Sequence, residues 1–215
     1  ISNATLQAIS FAQSCFLLAI AVVLGVWLAP KANLETPLID ALLEADRPIP
    51  QLMKKIRSAV IGGIAGGTLL LLIYGLMAPH LPASFLENAA TLKMPVTARL
   101  LYGGITEEIL IRWGLMTALV VVFLRLTRNS KNPSGAIPYV LAIAISAIFF
   151  GLGHLPVANL LSESLTVTLV TYIIFANSLF GVIAGYLFWK QGLETAIAAH
   201  MIAHLTMLLG EQLLA

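Results

Sequence analysis

The chain has 215 residues, 59% of them hydrophobic and only 10% charged, with a formal net charge of +2 and a mean hydropathy of +0.94. A soluble domain carries roughly 25% charged residues, so this composition excludes a water-soluble globule and defines a polytopic membrane protein. The net charge is too small to argue for a nucleic-acid partner, and the single cysteine, Cys15, excludes an intrachain disulfide.

A membrane span needs about 20 mostly apolar residues. Six segments qualify: about 7–29 (ended by Pro30), 56–78 (ended by Pro79), 97–124, 137–154 (stopped by Pro156), 165–189 and 193–214. The expected fold is therefore all-α, a transmembrane helical bundle. The first span lacks the basic n-region of a secretory signal, and Ser2–Ala4 has the pattern that tag cleavage leaves. Cys15 lies in this span and is expected to be a small apolar core residue.

Between the first two spans, Pro37 to Ala45 reads as a short interfacial helix. Thr36 would cap it, Pro37 would start it, and Leu38, Ile39, Leu42 and Leu43 would form a stripe opposite Asp40 and Glu44. A linker hairpin is the competing reading. Gly62/Gly66, Gly63/Gly67 and Gly181/Gly185 repeat a four-residue spacing that lets helices approach closely in lipid. Basic residues sort by loop. Lys31, Arg47, Lys54, Lys55 and Arg57 follow span one, Arg125, Arg128 and Lys131 follow span three, and Lys190 follows span five. Lys93 and Arg99 are the few on the other side. The positive-inside rule places the first set in the cytoplasm and both termini outside.

Span three carries GGITEEILIRW, Gly103 to Trp113, with three ionisable groups inside an apolar segment. Intramembrane charge is costly and marks function by default. Glu108 and Arg112 are one turn apart in the favoured order for an ion pair. Glu107, about 100° round the helix from Glu108, is not expected to share its partner. A purely structural network accounts for Glu108 and Arg112 and leaves Glu107 over. His154 closes span four, and His200 and His204 share one face of span six. His80, between Pro79 and Pro82, reads as a solvated loop residue. Glu with His suits water activation and proton transfer, with further His N–H groups for an oxyanion. The same set could ligate zinc or another divalent metal. Neither HExxH nor GxSxG occurs, so zincin and serine-hydrolase chemistry have no support.

These motifs together carry a resemblance. EEILIR (107–112) matches EExxxR, FGLGH (150–154) matches FxxxH, and HMIAH (200–204) stands where HxxxN or HxxxD is expected. In this order, on separate spans, over about 97–210, they resemble the CAAX-processing and bacteriocin-processing membrane endopeptidases, the CPBP or Abi family of type II CAAX proteases. The resemblance implies an intramembrane peptidase in the bacterial cytoplasmic membrane, acting on a peptide or membrane-protein substrate, lipidated or not. Glu107 would be the general base, working with His154 on a water. His200 would bind the oxyanion with His204 as its partner, and Glu108, Arg112 and Phe150 would support them. Residues 1–96 would then hold the N-terminal spans and interfacial helix, and 97–215 the four-span catalytic core. His204 departs from the family's Asn or Asp, which raises the metal reading and that of a non-catalytic member. A scaffold or immunity-type factor and a proton- or metal-coupled transporter remain the alternatives; the absence of an internal repeat counts against the transporter. Depth poses a difficulty: His154 falls near the outer end of span four, while Glu107 lies roughly 15 Å in. The site can close only if span four is short or the segment LPVANLLSES dips back beside protein.

Overall fold

The computed structural model describes residues 3–43, 52–92, 94–127 and 135–214. Arg47, Lys93, Arg128 and Lys131, and the Glu44–Ala45 end of the interfacial segment, lie outside them. Among the described residues there is no strand, and the helices run α1 (Asn3–Leu28), α2 (Pro37–Leu43), α3 (Leu52–Met77), α4 (Ala83–Thr91), α5 (Val96–Leu126), α6 (Ile137–Gly153), α7 (Leu155–Leu161), α8 (Val167–Gln191) and α9 (Leu193–Leu214). Among the described residues, six stretches are long and apolar enough to cross a membrane. The chain is an all-α polytopic bundle.

α3 lies along α9 and also touches α8, α6 lies along α8, the first half of α5 meets α9, and the second half meets α1. In lipid, helices associate through close packing rather than a hydrophobic drive, and the glycine pairs supply it. A Cβ at Gly63 would fall 2.6 Å from the Ala199 carbonyl oxygen and one at Gly67 2.7 Å from that of Ala203, both on α9. Gly62 and Gly66 face Leu187 and Phe180 of α8 instead, and Gly181 lies against Ala147 of α6. α3 is thus held by two neighbours through two faces of glycine.

Three loops meet at the basic end of the bundle. Lys55 Nζ donates to the Gln191 carbonyl at 2.6 Å, Leu193 N to the Glu35 carbonyl at 3.1 Å, and Tyr139 Oη to the Ala32 carbonyl at 2.9 Å. Lys31 over Trp27, Lys190 over Trp189, and Tyr139 stacked on Trp189 form an aromatic and basic girdle there, the composition expected at a membrane–water boundary.

Three details differ from the sequence reading. Thr36 does not cap α2; its hydroxyl donates to Asp40 Oδ1 at 3.1 Å, while Glu194 Oε1 accepts from Leu38 N and Ile39 N, each at 3.0 Å. The carboxylate reaches those amide donors from α9, a partner that local spacing does not reveal. Leu42 and Leu43 face outward as the interfacial stripe requires. Cys15 is exposed on the outer face of α1 rather than in the core, because α1 packs through its later turns. Pro156 does not end the helical path: the chain breaks at His154 and restarts as α7 with Pro156 in its first turn, where a missing N–H costs nothing. His80 is exposed in a short 3-10 turn, Ala78–His80.

Gly63→Val should lower the thermal unfolding midpoint in detergent and the folded yield, since overpacking costs roughly 1–3 kcal/mol or more. Gly75→Val, with nothing within 4 Å of its Cβ position, should change neither. Equal midpoints for the two variants would show that the α3–α9 contact does not hold the bundle together.

Candidate active site

α5 is not an ordinary α-helix where it carries the motif. Arg99–Glu107 and Ile109–Met116 are wound with i→i+5 hydrogen bonds, and two hydroxyls follow the same wider turn: Thr106 Oγ1 to the Leu101 carbonyl at 3.4 Å and Thr117 Oγ1 to that of Arg112 at 3.1 Å. Such winding recurs at functional sites. Small residues stand where neighbours press on it. A Cβ at Gly103 would run into the His204 ring, one at Gly104 into Met201, and one at Gly114 would lie 2.7 Å from the Ala21 Cβ of α1. The α5–α9 approach that brings the acidic pair to the histidines therefore depends on Gly103 and Gly104.

Glu108 and Arg112 are fully buried. Arg112 Nε stands 3.3 Å from Glu108 Oε2, an ion pair whose geometry falls short of an aligned hydrogen bond. Arg112 Nη2 donates to the Gly181 carbonyl of α8 at 3.2 Å, and its guanidinium lies over the Phe150 ring at 4.8 Å. The other Glu108 oxygen, Oε1, accepts from His200 Nδ1 at 2.8 Å. Glu107 Oε2 stands 4.0 Å from His200 Nε2. The adjacent glutamates thus share His200, one at each ring nitrogen, against the expectation that they would have separate partners. Three helices, α6 to α8, separate the glutamates in sequence from the imidazole that bridges them.

Aromatic rings fix that imidazole. His200 touches Phe180, at 4.6 Å between centroids, and stacks with His204 at 4.9 Å. Phe150 meets His200 edge-on at 5.8 Å and His154 edge-on at 4.8 Å, and so touches both histidines. His154 Nδ1 donates to the Phe150 carbonyl at 2.8 Å, which leaves Nε2 as the free lone pair. Both ring nitrogens of His204 are buried with no hydrogen-bond partner, a costly state for polar atoms. The depth difficulty is met by α6, whose 17 residues make it shorter than the 22 to 26 of the full-length helices. It ends at His154 inside the bundle, and α7 then packs on α4 and α8 through Ala158, Phe85 and Leu169. Among the described residues no three His, Cys, Asp or Glu side chains converge in a way that could hold a metal ion.

The sequence reading did not single out Phe180 or Gly103, and it tied Glu108 to Arg112 alone. Phe180 has no motif of its own; its one signal is its place beside Gly181, a helix-contact glycine. The bond from Glu108 to His200 spans 92 positions, beyond any local spacing rule.

The fold and this cluster define a multi-pass helical membrane protein with a buried carboxylate–histidine–arginine centre. The chain belongs to the Type II CAAX prenyl endopeptidase Rce1-like family, which it matches over residues 89–206, more than half its length and all of the cluster. Neither the curated proteins nor the solved structures yield a match. At the level this family defines, the chain is a CAAX-type intramembrane protease whose substrate is a peptide or protein.

Arg112→Ala would strand Glu108 as a buried unpaired charge, at a cost of roughly 3–5 kcal/mol. Thermal melts in detergent should show a large loss, and Arg112→Lys should not rescue it, because a single ammonium cannot serve Glu108 and Gly181 as the guanidinium fork does. A wild-type melt for Arg112→Ala would show that the pair has no structural role, and one for Arg112→Lys that the guanidinium fork is not needed.

Proposed function

We propose that the chain hydrolyses a peptide bond within or near the membrane with Glu107 as the general base. The observation that carries this is the Glu107–His200–Glu108–Arg112 row, in which one imidazole has a carboxylate at each nitrogen. Two carboxylates against one guanidinium leave one negative charge, which is costly in the bilayer interior. One proton held between Glu107 Oε2 and His200 Nε2 brings the cluster to neutrality. The 4.0 Å gap between those atoms exceeds a direct hydrogen bond, and catalytic hydrogen bonds commonly tighten only when substrate arrives.

With the proton on His200, Glu107 takes a proton from water as the water oxygen bonds to the scissile carbonyl carbon. His154 Nε2 accepts a hydrogen bond from the water's second O–H, which stays on the attacking oxygen. The carbonyl oxygen, now an oxyanion, receives the His200 Nε2–H, with an N–H of the stacked His204 as a second donor. The C–N bond then breaks as Glu107 passes its proton to the leaving amine. Glu108 holds the imidazole through Nδ1, and Arg112, Gly181 and Phe150 hold Glu108 in turn. No step needs a metal in this scheme. We place the basic end of the bundle in the cytoplasm, with both termini outside, in a bacterial cytoplasmic membrane.

Glu107→Gln should keep the fold and lose about 10²–10⁴ in the rate of cleavage of a CAAX-type peptide by the purified protein in nanodiscs. Undiminished cleavage would remove Glu107 from the chemistry, and undiminished biological function without cleavage would favour the scaffold reading. Assaying the same peptide with and without a prenyl group settles whether lipidation is required.

His204→Asn separates water-only from metal chemistry. It keeps an N–H donor, so activity should fall by less than the roughly 10²–10³ that losing an oxyanion donor costs. Elemental analysis should find no stoichiometric metal in the wild type. Stoichiometric zinc that is lost together with activity in His204→Asn would overturn the scheme, since an amide is a poor zinc ligand.

A further inference from the structure

Away from the active site, α3 and α8 part to leave an apolar groove of about 440 Å³, lined by Ser58, Ile61 and Gly62 of α3 and by Val182, Ile183 and Tyr186 of α8. Ile61, Val182 and Tyr186 are exposed on its walls, so it opens sideways, where lipid surrounds the bundle. One turn beyond its lining residues stand cations. Lys54 precedes Ser58 by four positions, Arg57 precedes Ile61 by four, and Lys190 follows Tyr186 by four, so each continues a groove-facing row of its helix. The hydrogen bond from Lys55 to the Gln191 carbonyl brings these two helix ends together. All three cations are exposed, and the Lys190 ammonium rests over Trp189 at 3.4 Å. Of the described carboxylates at this end, Asp40 is held by Thr36 and Glu194 by the α2 backbone, while Glu35 is exposed on the α1–α2 connection.

We propose that this groove binds an anionic phospholipid, with one acyl chain between α3 and α8 and the phosphate at Lys54, Arg57 and Lys190. Two independent features point to that occupant. The groove is apolar and faces hydrocarbon, which selects a chain. The charge at its mouth is positive, and basic recesses between transmembrane helices at the cytoplasmic side bind anionic headgroups. Gly62 sets the groove floor, because a Cβ there would press on Leu187 at 2.8 Å. The site does not depend on the peptidase chemistry and touches none of its residues.

The test is native mass spectrometry of the full chain released from nanodiscs of equal phosphatidylglycerol and phosphatidylcholine. The wild type should retain one phosphatidylglycerol in preference to phosphatidylcholine. Retention should fall about fivefold for each cation removed among Lys54→Gln, Arg57→Gln and Lys190→Gln. Ile61→Trp, which fills the groove from an exposed position, should abolish it. Arg125→Gln, at the same end on another helix, should leave it unchanged. Equal retention of the two lipids, loss with Arg125→Gln to the same degree, or a change in oligomeric mass with Ile61→Trp while lipid is retained would overturn the proposal.

Discussion

Burying charge where no water can solvate it constrains this protein more than any other requirement, and Glu108 is where the constraint is met. Its two oxygens serve two partners, the Arg112 guanidinium and the His200 Nδ1–H. The first makes the carboxylate tolerable in a low-dielectric interior. The second turns that carboxylate into the group that orients the imidazole and aims Nε2 at Glu107. Structural support and functional geometry are therefore one interaction seen from two sides. Removing Glu108 would both free Arg112 and release His200.

The rest of the bundle brings those groups together. α5 presents the acidic pair on widened turns, and Gly103 and Gly104 admit α9 with its histidines. α3, through Gly63 and Gly67, backs α9 from the other side. α8 supplies the Gly181 carbonyl to Arg112 and the Phe180 ring to His200. α6 supplies Phe150, which touches Arg112, His154 and His200 at once. A site assembled from four helices needs them all at close range, which accounts for small residues recurring at the crossings.

The parts legible in the sequence were those with a local period. Apolar length marked the six spans to within a few residues, and the four-residue spacing of Glu108 and Arg112 marked their pair. Glycines four apart marked the α3 contacts. What stayed hidden had no local signature. The approach of both Glu107 and Glu108 to His200 was not foreseen, because that imidazole comes from α9. The Glu108–His200 and Glu194–α2 bonds join distant segments, and Cys15 was misplaced because hydrophobicity cannot tell the lipid-facing side of a span from its packed side. Pro156 read as a stop because a helix restart and a helix end begin with the same residue.

The central claim is that Glu108 holds His200 by its Nδ1–H and so directs Nε2 toward Glu107. It can be measured by ¹⁵N NMR of histidine-labelled protein in nanodiscs near neutral pH, with the His200 signals assigned by their loss in His200→Asn. The account predicts that Nδ1 of His200 carries a proton with the shift of a bond to a carboxylate, and that this signature disappears in Glu108→Gln. A neutral His200 with its proton on Nε2 and a bare Nδ1 would contradict it.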